Sequence, residues 1–201
     1  GNVIRISNAP DVVAQIEALP EYTEGYSEAN KEAVAAARAA YNALSLDTQE
    51  NATNIDKLIG IEAEIWREGF DALPASPDDI TSYSDEVKTA IDALRASYNN
   101  LDNAVKRVVS EDEALLQEFE EKIASFAVEY VESLINALTE KESYTAQDIA
   151  AIKLAKSEYD ALDEENKAKL DTALVEKLDR CLEDIESYYT LSDLSANNAY
   201  S

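Results

Sequence analysis

The chain has 201 residues, with four glycines, four prolines and no histidine. The scarcity of glycine and proline favours long helices over sheets or disorder, and the absence of histidine removes the commonest general base and metal ligand. With 42 acidic and 17 basic residues the formal net charge is −25, which excludes binding of nucleic acid or anionic lipid through lysine and arginine clusters.

The acidic surface is typical of a highly soluble protein, and a surface that meets a basic partner is the alternative. The single cysteine, Cys181, permits no internal disulfide. No apolar run approaches the roughly 20 residues of a membrane span, so we expect no direct membrane insertion. The chain lacks methionine, and we interpret it as an internal fragment of a larger protein.

Residues 1–10 open the chain with a short alternation of apolar residues and arginine, "VIRI". We interpret them as a linker or as the end of a preceding domain. A pattern of three helices, which we name A, B and C, then runs three times along the chain. The pattern predicts helical module 1 at residues 11–65, module 2 at 66–123 and module 3 at 124–189.

Helix A opens each module with apolar residues spaced four and then three positions apart, which places them on one helical face. Pro20 and Pro74 are expected to end the first two copies, because proline disfavours helix in the residue before it. The predicted core positions of helix A are Val12, Ile16 and Leu19; Trp66, Phe70 and Leu73; and Val131, Ile135 and Leu138.

Helix B carries the clearest repeat, which begins as "GYSEANKEAVAAARAAYNAL" at Gly25. Ser27, Ser84 and Thr145 stand where an N-cap belongs. The spacing of three, four and three again defines one helical face. The predicted core positions of helix B are Val34, Ala37, Tyr41 and Leu44; Ile91, Leu94, Tyr98 and Leu101; and Ile152, Ala155, Tyr159 and Leu162.

A tyrosine precedes each of these N-caps, at Tyr26, Tyr83 and Tyr144. Packing over the end of the bundle is the first interpretation of these rings. Contact with a partner, including stacking on a sugar, is the alternative. The three tyrosines are therefore the candidate partner-contact residues of the chain.

Helix C closes each module with apolar residues spaced three and then four positions apart. Its predicted core positions are Leu58, Ile61 and Ile65; Leu116, Phe119 and Ile123; and Leu178, Cys181 and Ile185. Because Cys181 takes the position of Ile61 and Phe119, we predict that it is a buried and inert thiol.

No breaker separates helix C of one module from helix A of the next. This predicts one continuous helix at residues 53–73 and another at 111–138, so that successive bundles share helices. The expected fold is all-α, an elongated rod of three tandem three-helix bundles. Residues 190–201 are polar with low helix propensity, and we predict that they form a linker or tail.

Carboxylates are abundant, but no pattern of catalytic residues accompanies them. Examples are Glu111, Asp112, Glu113, Glu118, Glu120 and Glu121. We expect these side chains on solvated helix faces, whereas glycoside hydrolysis needs two carboxylates held across a cleft. The sequence also has no glycine-rich phosphate loop and no calcium loop. We therefore predict no catalytic, cofactor-binding or metal-binding residues, no cofactor and no enzyme activity.

The string "AVAAARAAYNALSLDTQENATNIDKL" resembles helical repeats of large secreted and cell-wall-attached Gram-positive proteins, in which Ala-Arg-x-Ala-Tyr-x-Ala-Leu precedes a polar loop. Residues 157–170, "SEYDALDEENKAKL", are a close third copy, and residues 95–108 are a degenerate one. The Tyr-Ser/Thr opening also resembles FIVAR modules, three-helix units of bacterial surface proteins. The head-to-tail sharing of helices is similar to spectrin repeats. Together these resemblances cover roughly residues 11–189.

The resemblance implies a non-catalytic spacer or scaffold segment within a larger extracellular bacterial protein that is secreted or attached to the cell wall. The implied partners are flanking domains of the same polypeptide, and we expect the segment itself to be a monomer. A helical binding module for a host protein or a glycan is the alternative.

Overall fold

The computed structural model describes the backbone of residues 8–197 and the side chains of residues 8–187. This part of the chain is all helical, which confirms the predicted fold class. Its α-helices are α1 (Ala9–Glu17), α2 (Glu28–Asn42), α3 (Leu46–Gln49), α4 (Ile55–Arg67), α5 (Asp85–Asn99), α6 (Asn103–Val108), α7 (Ser110–Ser125), α8 (Ala127–Ala137), α9 (Ala146–Ala161), α10 (Glu164–Lys167) and α11 (Thr172–Asn197). Two short 3₁₀ helices lie at Glu68–Ala72 and Pro77–Asp79.

The predicted N-caps of helix B are confirmed. The hydroxyl of Ser27 accepts a hydrogen bond from the Asn30 N–H at 3.2 Å, and Ser84 caps α5 in the same way. Thr145 belongs to a capping box at the start of α9. Each cap satisfies a backbone donor that the first turn of a helix leaves without an intrahelical partner.

The predicted core faces are also confirmed. Every core position predicted for helices A, B and C is buried or half-buried. Cys181 is completely buried, as its place in the pattern predicts. The spacing of three and four residues therefore identified the buried side of each helix correctly.

The first helix begins earlier than the boundary predicted at residue 11. The Asn8 side chain accepts a hydrogen bond from the Asp11 N–H at 2.9 Å and caps α1, which starts at Ala9. Pro10 fits here because the first turn of a helix needs no donor from it. Of the segment predicted as a linker, residues 1–7 lie outside the described residues.

The described residues of Gly1–Ile80 and Ser84–Glu120 form one compact unit, unit 1. In it α1, α2 and α4 pack against one another around one apolar core. The short helix α6 packs against α4, and Val105 and Val109 are fully buried. Helices predicted to belong to modules 1 and 2 therefore lie in the same compact unit.

Aromatic residues fill the second half of unit 1. The Trp66 ring meets the Phe70 ring edge to face, with centroids 5.4 Å apart, and lies 5.6 Å from the Tyr98 ring. Phe70 in turn lies 6.4 Å from Phe119. These contacts join the end of α4, the 3₁₀ helix Glu68–Ala72, α5 and α7.

The described residues of Thr81–Tyr83 and Glu121–Ser201 form the second compact unit, unit 2. Its helices α8, α9 and α11 pack together as a three-helix bundle around their own core. Ile135, Ala155 and Cys181 lie at the centre of this core and are fully buried.

The prediction of uninterrupted shared helices is wrong in detail. At the first junction α4 ends at Arg67, and the chain continues as the tighter 3₁₀ helix Glu68–Ala72. A Cβ added at Gly69 would lie 2.5 Å from Leu94 Cδ1, so the glycine leaves room for the Leu94 side chain.

The second helix predicted to be continuous, at residues 111–138, is interrupted at Phe126, between α7 and α8. In an unbroken helix the Lys122 carbonyl would accept from the Phe126 N–H. Here it accepts from the Ser125 hydroxyl at 2.6 Å, and the Phe126 N–H donates to the Ile123 carbonyl at 3.2 Å. Serine competes with the helical ladder in this way because its hydroxyl reaches the preceding turn.

The last helix, α11, continues to Asn197. Residues 190–197 are therefore helical despite the low helix propensity predicted for them, and they contain no proline or glycine that would end a helix. The rest of the predicted tail, residues 198–201, lies outside the described residues. Among the described helices, none has the length and apolar character needed to cross a membrane.

Candidate functional site

An arginine clamp joins helix B to helix C in two copies of the repeat. Arg38 donates to Glu62 through Nε at 2.8 Å and through Nη2, so the pair is bidentate. Arg95 makes the same bidentate contact with Glu120, at 2.6 and 2.8 Å, and a further bond to Glu113 at 2.9 Å. The planar guanidinium fixes the orientation of two helices because both of its edges are engaged.

The two clamps occupy equivalent positions in the sequence. Arg38 and Arg95 each stand three residues before the core tyrosine of helix B, and the guanidinium carbons lie 5.5 and 5.2 Å from the centroids of those rings. In the third copy Lys156 replaces the arginine and pairs with Asp160 of its own helix at 2.5 Å. Leu182 stands where the first two copies have glutamate.

The clamps set the ionisation of their arginines. Burial by itself would lower the pKa of Arg38, but the hydrogen bonds and charge of Glu62 outweigh it and the pKa is raised. The hydrogen bonds that Arg95 donates to Glu120 likewise raise the pKa of Arg95. Both side chains therefore stay charged, and both clamps stay formed, at any pH at which the carboxylates are ionised.

Ion pairs also fasten the first junction on two sides. Arg67 contacts Asp112 of α7 at 2.8 Å, and Glu68 contacts Lys31 of α2 at 2.7 Å. The hydrogen bond from Lys31 lowers the pKa of Glu68, and the hydrogen bond to Asp112 raises the pKa of Arg67. The segment between α4 and the 3₁₀ helix is therefore tied to two other helices of unit 1.

Several acidic residues predicted on solvated faces are partners in these contacts. Asp112, Glu113 and Glu120 are half-buried, whereas Glu111 and Glu118 are exposed as predicted. The spacing of the acidic residues did not show which of them are half-buried. The sequence does contain a signal for the ion pairs. Helix B has an arginine at the same position in the first two copies, and helix C has a glutamate directly after its second core position in those copies.

Two of the three candidate tyrosines are buried in the packing. The Tyr26 hydroxyl donates to the Pro20 carbonyl at 3.0 Å. The Tyr144 hydroxyl donates to Asp184 Oδ2 at 2.9 Å and accepts from the Lys141 N–H at 3.1 Å. Burial raises the pKa of both phenols. These two rings offer little surface to a partner.

Tyr83, the third candidate, is half-buried within unit 2. Its ring stacks on Tyr130 with centroids 4.1 Å apart, and its hydroxyl donates to Glu158 at 3.2 Å. The stacked pair borders a cavity of about 210 Å³ that Phe126 and Glu129 also line. The three tyrosines occupy equivalent positions in the repeat, but Tyr26 and Tyr144 are buried whereas Tyr83 is half-buried.

An apolar recess of about 460 Å³ lies in unit 1 between α2, the end of α4 and α5. Its walls are mostly carbon. They include Val34, Ala35, Ile65, Ala90, Ala93 and Leu94, and the Trp66 ring also lines the recess. The sequence did not predict this recess, because its walls come from helices of two predicted modules.

In the part of the chain that the structure describes, no metal-binding cluster of side chains lies beside the clamps, the tyrosines or the recess. Residues 8–187 contain no group of histidine, cysteine, aspartate and glutamate side chains that could hold a metal ion. Burial raises the pKa of the Cys181 thiol, which makes it a poor nucleophile.

Comparisons with known proteins find no matching family model, no similar curated protein and no similar solved structure. The resemblance to FIVAR modules and to Gram-positive helical repeats therefore stays a prediction from the sequence.

Proposed function

We propose that this chain is a non-catalytic spacer or scaffold segment of a larger extracellular bacterial protein. In this role the helices hold neighbouring domains apart and carry no reaction themselves. The proposed setting is a secreted or cell-wall-attached protein of a Gram-positive bacterium. The proposed partners are the flanking domains of the same polypeptide, with the segment itself a monomer that needs no cofactor.

One observation carries the proposal: equivalent arginines in successive copies clamp helix B to helix C. Arg38 and Glu62 each keep only 13% of their side-chain surface exposed. Exposed ion pairs contribute about 0–1 kcal/mol, but a bidentate and partly buried pair also fixes orientation. Repeated fastening of helix to helix suits a spacer that must keep its helices in fixed positions.

A helical binding module for a host protein or a glycan is the second candidate, and the stacked pair Tyr83 and Tyr130 favours it. An aromatic ring beside a small cavity that has a carboxylate at Glu129 can hold a sugar by stacking and hydrogen bonding. Binding of the protein to immobilised host glycans, abolished in Tyr130→Ala, would support this candidate.

Small-angle X-ray scattering tests the spacer proposal. A compact protein of this length has a radius of gyration of about 17 Å. A spacer built from bundles in series predicts a clearly larger value and a long maximum dimension. A salt series is the control, because an extension caused only by repulsion among acidic residues would shrink as salt is added. A radius close to the compact value at every salt concentration would rule out the spacer.

A further inference from the structure

We propose that the apolar recess of unit 1 is a binding site for a small, uncharged, apolar molecule. Its volume of about 460 Å³ is in the range of small-molecule sites, which run from roughly 300 to 1,000 Å³. The recess is open to solvent on one side, since Ala35 and Ala93 on its walls are exposed, so a small molecule can enter it.

The chemistry of the walls decides the class of ligand. The polar side chains that line the recess are Lys31, Glu62, Ser97 and Trp66. Lys31 pairs with Glu68 at 2.7 Å, and Glu62 is held by the Arg38 clamp. Ser97 and Trp66 are also hydrogen-bonded within the protein.

The Ser97 hydroxyl donates to the Leu94 carbonyl at 2.8 Å. The Trp66 indole N–H donates to the same carbonyl at 3.3 Å. Each polar side chain of the lining is therefore already bonded within the protein, and a charged or strongly polar ligand would lose its hydration without compensation. An apolar molecule has no such cost and gains from burial.

The recess itself presents no exposed large hydrophobic residue, which favours a small molecule over a protein. Among the described side chains, the exposed large hydrophobic residues are Leu46, Val108, Leu115 and Leu154. None of them lines the recess. A partner helix or a second copy would need a wider patch, since stable protein interfaces bury roughly 800 Å² on each partner.

Small alanine side chains on the walls leave the recess unfilled. A leucine placed on the wall can therefore be compared with a leucine placed elsewhere on the same helix. Ala90 is half-buried on the wall formed by α5. Ala90→Leu should fill the recess. Ala96 is exposed on the same helix and lies outside the lining, so Ala96→Leu adds the same side chain elsewhere. Ala93→Leu is a second filling variant from an exposed wall position, for use if Ala90→Leu does not fold.

The experiment uses the fluorescent probe N-phenyl-1-naphthylamine, which is uncharged and apolar. Trp66 is the only tryptophan of the chain and lines the recess, so bound probe should show saturable emission sensitised by the indole. Filling the recess should weaken binding roughly tenfold or more, because several buried methylene contacts are lost. The Ala96→Leu variant should bind like the original protein.

Three results would overturn the proposal. The first is an absence of sensitised emission up to the solubility limit of the probe. The second is equal weakening by Ala96→Leu and by the filling variants, which would place the probe elsewhere. The third is a dimer in analytical ultracentrifugation that a filling variant dissociates, since a second copy would then be the occupant.

Discussion

Asp148 closes the capping box at the start of α9. Its carboxylate accepts from Lys141 Nζ at 2.7 Å and from the Thr145 N–H at 2.9 Å. The hydrogen bond from Lys141 and those from Thr145 lower the pKa of Asp148 to about 2. Because the charged form is favoured in the folded state, ionisation of this residue stabilises the fold.

We expect Asp148→Asn to lower the free energy of unfolding at neutral pH. The folded pKa lies below the unfolded value of about 3.9, so the contribution is fully present above pH 3.9 and is lost as the pH falls through about 2. Urea unfolding from pH 7 to pH 2 should show the variant and the original protein converging at the acidic end.

The exposed substitution Asp179→Asn is the control for this measurement, since it makes the same change in charge on the surface of α11. A constant difference between Asp148→Asn and the original protein across the whole pH range would show that ionisation of Asp148 does not stabilise the fold.

At the level of helices, a serine hydroxyl takes the place of a backbone donor at the break at Phe126. Ser125 bonds the Lys122 carbonyl at 2.6 Å in place of the Phe126 N–H. Ser133 makes a similar bond to the Tyr130 carbonyl at 2.7 Å, yet α8 continues through it. The difference is that the Ser125 hydroxyl replaces a backbone donor, whereas Ser133 lies in an intact ladder.

Ser125→Ala should therefore join α7 and α8 into one helix. Both Ser125→Ala and Ser133→Ala should raise stability by up to about 0.5 kcal/mol, because alanine is the better helix former. Only Ser125→Ala should move the Cα chemical shift of Phe126 to a helical value in NMR spectra. An unchanged shift at Phe126 would mean that packing, and not the hydroxyl, holds the break.

On the scale of the whole molecule, the two compact units have separate cores, and each contains one intrinsic probe. Trp66, the only tryptophan, lies in unit 1, and Cys181, the only cysteine, is buried in unit 2. Indole fluorescence and thiol reactivity therefore report the unfolding of different units of the same protein.

Ile16→Ala and Ile152→Ala each remove a buried side chain from one unit, at an expected cost of about 2–5 kcal/mol. In a denaturant titration Ile16→Ala should shift the fluorescence transition, and Ile152→Ala should shift the labelling of Cys181. Rapid labelling of Cys181 in the native protein would show that the thiol is not buried. Equal shifts of both probes in both variants would show that the units unfold as one.

The sequence alone determined the all-α fold class and which face of each predicted helix is buried. Both depend on interactions between residues three or four positions apart, such as Ser27 with Asn30 or Ile61 with Leu58, and these are visible in the spacing. The same locality allowed the N-caps and the burial of Cys181 to be predicted.

Only the tertiary structure decided which helices share a unit, which charges pair and where a recess stays open. The Arg38–Glu62 clamp joins residues 24 positions apart, and the Trp66 hydrogen bond to Leu94 spans 28. Periodicity within a helix carries no information about such distances. It also treats Tyr26, Tyr83 and Tyr144 as equivalent, although their neighbours bury two of them and leave Tyr83 half-buried. The partners that meet through space are set by how the helices pack, and this physical reason separates the correct predictions from the missed ones.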